Sequence, residues 1–289
     1  VVGGFTKLHE KEELAAFNER LKAIGTDLLV LADLFGGFKL PDFARETEFV
    51  SLKGEGSYPF IGGDVVSSDG VHMKEQDYKK LTNEYMVEQS TAKWCRLSRK
   101  SFAVGALARL NNNFEFLHPV AKDIAGRFAL APVNHNPFMN NIAQLVECVH
   151  VVMDSIAMID DLLGSKFREA RQEVKPRAGV GVAAVEVPRG ILYHSYEFDA
   201  KGKIVKCDCV IPTGQNHANI QHDLEALADR QVDVVPDNRL RDRIVRIDPE
   251  QVAGEDLARA PEEGGGTGVL AGARPARVLG SDRRRPARP

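Results

Sequence analysis

The stretch from Asn140 to Leu163 constrains the fold of this chain more than any other segment. Apolar residues recur there every three or four positions, and further apolar residues occupy the other faces of the predicted helix. The first group is Ile142, Leu145, Val149, Val152, Met153, Ile156 and Ile159, and the second is Val146, Val151 and Met158. A helix that is apolar around most of its circumference is buried among other elements. We therefore expect a long core helix, and we interpret His150 as a packed histidine because no second ligand lies at i+4.

The remaining periodicities predict helices around a few short strands. Residues 8–35 carry apolar positions every three or four residues, and residues 74–86 return to that spacing. Residues 48–74 are typical of short strands joined by turns. Residues 185–216 contain two extended runs joined at Asp199–Gly202, and a helical pattern follows them. These patterns predict a mostly helical α+β fold with a small antiparallel β region.

Composition excludes several classes of protein. The 289 residues are 43% hydrophobic and 27% charged, which is ordinary for a globular protein with its own core. A formal net charge of −3 gives no indication of nucleic acid or an anionic membrane surface as a partner. No apolar run approaches the roughly 20 residues of a membrane span, and the first residues lack the pattern of a signal peptide. We therefore expect a cytoplasmic protein without a membrane span.

The four cysteines do not form a recognisable framework. Cys95, Cys148, Cys207 and Cys209 are too few and too scattered for a set of disulfides, and no two form a C-x-x-C pair. Cys207 and Cys209 lie two apart on a predicted strand, so their side chains share one face. Two ligands do not make a metal site, so we interpret the pair as half-buried strand cysteines, with metal binding as the alternative. We assign no metal ligand in this chain.

The composition changes near residue 250. Gly, Ala, Arg and Pro dominate residues 251–289, and no periodicity survives there. Such a segment cannot offset its ordering entropy by burial, so we expect a domain over residues 1–250 and a disordered tail over residues 251–289. Two alternatives stay open for the tail. One is a nucleic-acid arm built on Arg283–Arg285, which lacks aromatic residues for stacking, and the other is a shifted reading frame.

Arg189 and Thr213 stand at the same end of the predicted hairpin. Pro188 fixes its own φ, and Arg189 offers five donors in a planar fork. Thr213 can donate through its hydroxyl, and Gly214 lets a ligand approach closely. If this end faces a cavity, these groups form a small anion-recognition corner. A solvent-facing arginine at the start of a strand is the alternative, and local chemistry leaves both open.

Four motifs resemble those of the large subunits of nickel–iron hydrogenases. Glu186–Gly190 is similar to a Glu-Ala-Pro-Arg-Gly motif, and Pro212–Asn216 is similar to a Pro-Thr motif followed by asparagine. The opening VVGGF resembles the Gly-Gly segment of that family. Ala103–Asn111 resembles its Gly-Pro-Leu-Ala-Arg-Leu segment, with alanine at the usual proline. The resemblance covers about residues 1–246 and is greatest to the cytoplasmic, cofactor-coupled type.

The resemblance implies a nickel–iron centre whose iron carries cyanide and carbon monoxide. Arg189 would then donate to one cyanide and extend over the open metal face as a catalytic residue. Thr213 would donate to the other cyanide, while Pro188 and Pro212 would shape an apolar wall. The implied reaction is the reversible oxidation of dihydrogen. Electrons would pass to an iron–sulfur small subunit, then through diaphorase-type subunits to NAD(P) or a deazaflavin.

The metal-binding motifs of that family are missing from this sequence. Family members hold their metals through four thiolates in two C-x-x-C motifs, one near each terminus, and none of the four cysteines here matches such a position. We therefore expect a fragment that cannot hold the centre by itself. Two other functions stay open. One is a cluster-less relative that acts as an interaction protein in an energy-converting complex, and the other is a binding module with a basic tail.

Overall fold

The computed structural model describes residues 9–54, 56–165 and 175–234. The helices are α1 Lys11–Gly36, α2 Tyr78–Thr82, α3 Ala106–Asn113, α4 Pro119–Arg127, α5 Met139–Gly164 and α6 Pro212–Val234. The strands are β1 Glu48–Lys53, β2 Asp64–Ser67, β3 His72–Met73, β4 Tyr85–Val87, β5 Ser90–Trp94, β6 Phe102–Ala103, β7 Gly179–Val187, β8 Gly190–Phe198 and β9 Ile204–Val210. Single turns of 3₁₀ helix occur at Glu75–Asp77 and Phe114–Phe116. The predicted α+β fold, with helix predominant, is confirmed. The VVGGF segment and the 251–289 tail lie outside the described residues, and the domain boundary stays a prediction.

The first half of α5 forms the centre of the helical layer, as its sequence predicts. Ile142, Val146 and Val149 are completely buried, in one cluster with residues of α3 and α4. α1 crosses α5 closely at Gly25, where a Cβ atom would lie only 3.2 Å from Met153 Cε. Packing around α5 therefore organises the described helices, because α1, α3 and α4 all contact it.

From Val151 onward α5 is less buried than predicted. Val151 and Met158 expose 41% and 53% of their surface, so the prediction that the helix is buried around most of its circumference is wrong there. By length and composition α5 could also cross a membrane, contrary to our expectation for the chain. Its N-terminal half, however, is packed within the protein as in the core helix of a globular domain. His150 is buried, and its Nδ1 accepts the His118 N–H at 3.0 Å, which confirms it as a packed histidine.

Three small sheets complete the described fold. The first has the order β3-β2-β1-β6, in which only β1 and β6 run parallel, and the second pairs β4 with β5. The third is the antiparallel meander β7-β8-β9. Pairing of β8 with β9 confirms the predicted hairpin. β7 was not predicted, because Gly179 and Gly181 weaken its strand pattern.

The helix predicted over residues 74–86 is wrong in length. A 3₁₀ turn leads into α2, which ends after five residues at Thr82. Asn83 follows in the left-handed conformation, with φ of 37°, and its side chain donates to the carbonyls of Lys80 at 2.6 Å and Arg96 at 3.1 Å. Asparagine tolerates this conformation at a helix end, so it stops the helix and directs the chain into β4.

Candidate functional site

A tight turn between β7 and β8 presents Arg189. Val187 pairs with Gly190, so Pro188 and Arg189 form a two-residue connection. Gly190 has φ of 130°, and a Cβ atom there would lie 2.3 Å from Val104 Cγ2. Only glycine permits both this backbone conformation and this approach. The turn therefore packs directly against the segment that precedes α3.

Asn216, in the first turns of α6, joins that segment to the Arg189 turn. Its Oδ1 accepts the Val104 N–H at 2.8 Å, and its Nδ2 donates to the carbonyls of Val104 at 3.2 Å and Arg189 at 3.3 Å. Gly105 makes room for this junction, since a Cβ atom there would lie 3.3 Å from the Arg189 carbonyl oxygen. α6 begins at Pro212, which suits the first position of a helix. The asparagine of the Pro-Thr motif thus fixes three chain segments around one point.

Arg109, on α3, anchors the same turn from the protein interior. Its Nε and Nη2 donate to the two carboxylate oxygens of Glu147, each at 2.6 Å. Its Nη1 donates to Glu186 and to the Val187 carbonyl, both at 2.9 Å. The side chain of Arg109 is only 1% exposed. These charge-assisted hydrogen bonds therefore hold the end of β7, and with it the Arg189 turn, against α3 and α5.

Two carboxylates share the single guanidinium of Arg109. Glu186 also accepts the Leu52 N–H at 2.8 Å, and Glu147 accepts the Tyr58 hydroxyl at 2.7 Å. Burial raises the pKa of Glu186 to about 7, although Arg109 and the Leu52 N–H oppose the shift. Burial, with the adjacent Glu147 carboxylate, raises the pKa of Tyr58 well above its usual range. Burial therefore disfavours the charged form of Glu186 more than its hydrogen bonds favour that form.

A cavity of about 370 Å³ opens beside the turn. Arg189 and Thr213 both line it, so the structure brings together the two predicted donors. Pro188 and Pro212 do not line it; Pro188 is exposed in the turn, and Pro212 is buried at the start of α6. Much of the remaining wall is apolar and includes Phe49, Ala103, Leu107, Ala108, Pro137 and Ile220.

Arg189 is the only arginine or lysine on the described part of the cavity wall, and its guanidinium forms no ion pair with a described residue. The one lining carboxylate, Asp223, is already paired, with its Oδ1 2.6 Å from Arg45 Nε. Arg45 Nη2 also donates to Asn219 Oδ1 at 2.6 Å. Burial raises the pKa of Asp223, although Arg45 opposes the shift. An apolar cavity with one unneutralised cation and a nearby hydroxyl, on Thr213, suits a small anion.

Sequence reasoning missed the other polar residues on this wall. Asn216, Asn219 and Asp223 lie at i, i+3 and i+7 of α6, so their spacing on one helix face could have revealed them. His135 lies in the loop before α5, where no periodic pattern marks it. Its Nδ1 accepts the Thr47 N–H at 3.2 Å, so the neutral ring carries its proton on Nε2 and is a further donor.

The cysteines do not contribute to this site. None lines the cavity; Cys95 is buried, and Cys148, Cys207 and Cys209 are exposed. The prediction that Cys207 and Cys209 are half-buried is wrong, because β9 is an edge strand whose outward face is uncovered. Within the ranges that the structure describes, no three His, Cys, Asp or Glu residues are grouped to hold a metal ion. The described site therefore fits recognition of a small anion but not coordination of a metal.

Curated relatives share this sequence over much of its length. The alpha chain of sulfhydrogenase 1 from Pyrococcus furiosus is 30% identical over 247 residues, which cover 82% of this chain and 56% of the relative. The matching chain of the vhu F420-non-reducing hydrogenase from Methanococcus voltae is 27% identical over 199 residues, which cover 64% of this chain and 46% of the relative. The beta chain of the NAD-reducing hydrogenase HoxS from Cupriavidus necator is 29% identical over 137 residues, which cover 45% of this chain and 27% of the relative. The chain spans about half the length of the first two. No protein-family model matches it.

Solved structures share the fold. An NAD⁺-reducing NiFe-hydrogenase in the H₂-reduced state superposes with a TM-score of 0.58 at 22% identity, covering 77% of this chain and 54% of the other. The Ni-Fe-Se hydrogenase from D. vulgaris Hildenborough in the reduced state superposes with a TM-score of 0.50 at 20% identity, covering 75% and 54%. At these identities the likeness shows the fold alone, and it confirms the predicted type of core.

Proposed function

Because this chain belongs to the family of nickel–iron hydrogenase large subunits, we propose that it forms part of an enzyme for the reversible oxidation of dihydrogen. The observation that carries the proposal is the meeting of Arg189 and Thr213 on one apolar cavity. These residues come from two motifs that are separate in sequence and are joined through Asn216. Arg189 is exposed, as in the alternative of a solvent-facing arginine, and the variant described below separates the two roles.

Arg189 and Thr213 would bind the non-protein ligands of a nickel–iron centre, which supplies the site of dihydrogen cleavage when it is bound. Cyanide nitrogen is an anionic acceptor, and in an apolar cavity it requires hydrogen-bond donors. The Arg189 fork and the Thr213 hydroxyl are donors on this wall, where both residues are exposed and open to a ligand, and we assign Arg189 the catalytic role. Pro188 and Pro212 would set the direction of the turn and of α6. No thiolate is on the described wall, so the metal ligands would come from elsewhere in the complete protein.

The electron path follows from the same homology. We infer that electrons pass from the large subunit to an iron–sulfur small subunit, then onward through diaphorase-type subunits to NAD(P) or a similar acceptor. Similarity to a relative named as an NAD-reducing hydrogenase supports this choice. Such partners and such an acceptor are consistent with a cytoplasmic protein.

The test is Arg189→Lys in the complete large subunit, expressed from its gene with its small subunit. Lysine keeps the charge but loses the planar fork, so turnover at equal nickel content should fall by at least roughly 10²-fold. Arg127→Lys is the matched control, because Arg127 is exposed and, among the described residues, forms its ion pair with Asp33 at the surface. Hydrogen uptake with an artificial acceptor, divided by bound nickel, measures both variants.

Three results are informative. Loss of turnover in Arg189→Lys alone supports the catalytic role. Equal turnover in both variants would contradict the catalytic role of Arg189. Loss of nickel in Arg189→Lys would show instead that Arg189 is needed for assembly of the centre.

A second candidate is a cluster-less hydrogenase-like subunit that acts as an interaction protein in an energy-converting complex. The absence of cysteine from the described cavity wall favours it. The same full-length preparation separates the two candidates. A complete protein without nickel that still binds its partner subunits would support the interaction role.

A further inference from the structure

One face of the β7-β8-β9 sheet carries two thiols, an imidazole and a phenol. His194 pairs with Cys209 and Tyr196 pairs with Cys207 across β8 and β9. Alternate residues of a strand share a face, so these four side chains lie together, opposite the buried Tyr193. Both cysteines are exposed, and His194 and Tyr196 are half-buried. The cluster is therefore open to solutes.

One cysteine of this cluster lies within hydrogen-bonding distance of an imidazole. Cys209 Sγ lies 3.3 Å from His194 Nδ1, and the same nitrogen lies 3.1 Å from the Tyr196 hydroxyl. The His194 and Tyr196 rings stack at 5.8 Å, only 15° from parallel, which holds both groups in place. An imidazole within reach of a thiol can act as its base, and the thiolate formed when the proton leaves is the nucleophilic form.

We propose that Cys209 is a reactive surface thiol that forms mixed disulfides with low-molecular-weight disulfides, independently of the proposed hydrogenase function. The Cys209 thiolate attacks one sulfur of the small disulfide. A new S–S bond to Cys209 forms, the original S–S bond breaks, and the other half leaves and takes up the proton that the Cys209 thiol has lost. The small disulfide is the oxidant and is reduced to a thiol, while Cys209 is oxidised.

The sheet geometry indicates that the mixed disulfide persists. Residues two apart on an extended strand have Cα atoms roughly 6.6–6.8 Å apart, at the upper limit for a disulfide. A bond between Cys207 and Cys209 would be strained, so Cys207 should not displace the adduct. On the neighbouring strand, Gly181 and Ala183 pair with Tyr196 and His194, and these small residues leave space for the added group.

The experiment treats the purified chain with glutathione disulfide and measures adducts at each cysteine by peptide mass spectrometry. Cys209 should react at least about fivefold faster than the exposed Cys207, because only Cys209 contacts the imidazole. His194→Phe keeps a stacking ring but removes its nitrogens, so it should lower the Cys209 rate to that of Cys207. His222→Phe, at a histidine on α6, is the matched control and should leave the rate unchanged.

Tyr196→Phe provides a second variant that removes a single oxygen, and it should also slow Cys209. Equal rates at Cys207 and Cys209 would overturn the proposal. So would a Cys209 rate that neither His194→Phe nor Tyr196→Phe lowers. Conversion of the adduct into a Cys207–Cys209 disulfide would contradict the persistent mixed disulfide.

Discussion

Arg109 shapes the candidate site without reaching the cavity. Its planar fork donates to Glu147, to Glu186 and to the Val187 carbonyl at once, a combination that lysine could not reproduce. Because two carboxylates share one buried cation, one of them carries the surplus charge. Glu186, in the strand that leads into the Arg189 turn, accepts one Arg109 N–H while Glu147 accepts two, so Glu186 is the less fully paired carboxylate. The protonation state of Glu186 is therefore linked to the hydrogen bonds from Arg109 that hold the Arg189 turn.

Replacing Glu186 with glutamine should flatten the dependence of stability on pH. Burial raises the folded-state pKa of Glu186 from an ordinary 4.5 to about 7, so between these values the folded state binds more protons than the unfolded state. The stability that this group contributes is complete below its unfolded pKa and is lost as pH rises through 7. Urea unfolding between about pH 5 and pH 8 measures this pH dependence. The free energy of unfolding should decrease as the pH rises, and it should decrease less in Glu186→Gln than in the unchanged protein.

Glu88→Gln is the control for this measurement, because Glu88 lies in the exposed turn between β4 and β5. It should retain the pH dependence of the unchanged protein. If Glu186→Gln retains it as well, Glu186 is ionised throughout this range and the proposed proton is absent.

At the scale of elements, local burial patterns explain which parts could be predicted. Apolar periodicity indicated α1, α5 and α6, and the turn residues Asp199–Gly202 indicated the β8–β9 hairpin. β7 was not predicted, because Gly179 and Gly181 interrupt its strand pattern and its backbone hydrogen bonds form with β8. In the site, Arg189 and Thr213 were identified from motifs. The partners of Arg109 lie 38 and 77 residues away, and no local pattern encodes such pairs.

Gly190→Ala should destabilise the junction of β8 with the segment before α3. Its φ of 130° is unfavourable for alanine, and the added Cβ atom would lie 2.3 Å from Val104 Cγ2. Backbone strain and overpacking together should cost at least about 2 kcal/mol in free energy of unfolding. Gly126→Ala in α4 is the control, because nothing lies within 4 Å of its Cβ position, and it should be neutral or stabilising by up to about 1 kcal/mol. Similar unfolding free energies for the two variants would show that the junction relaxes without cost.

At the scale of the whole molecule, the chain contains donors for anionic ligands but no thiolate on the described cavity wall. Ile220 of α6 lines the cavity and is 50% exposed, so the cavity is open on that side. The relatives are about twice as long as the matched part. We infer that the complete protein divides its site between this region, which recognises the ligands of the metals, and other residues, which bind the metals.

This division predicts that the 289-residue chain, purified from cells supplied with nickel, contains well below one nickel per polypeptide. Stable nickel or iron binding needs several deprotonated soft ligands in one place, and the described residues offer only the exposed pair Cys207 and Cys209. Elemental analysis of the chain, beside the complete protein prepared in the same cells, measures the difference. The Cys207→Ser/Cys209→Ser double variant should have the same low nickel content as the unchanged chain. About one nickel per chain, lost in that variant, would instead make the pair on β9 a metal site and contradict the division.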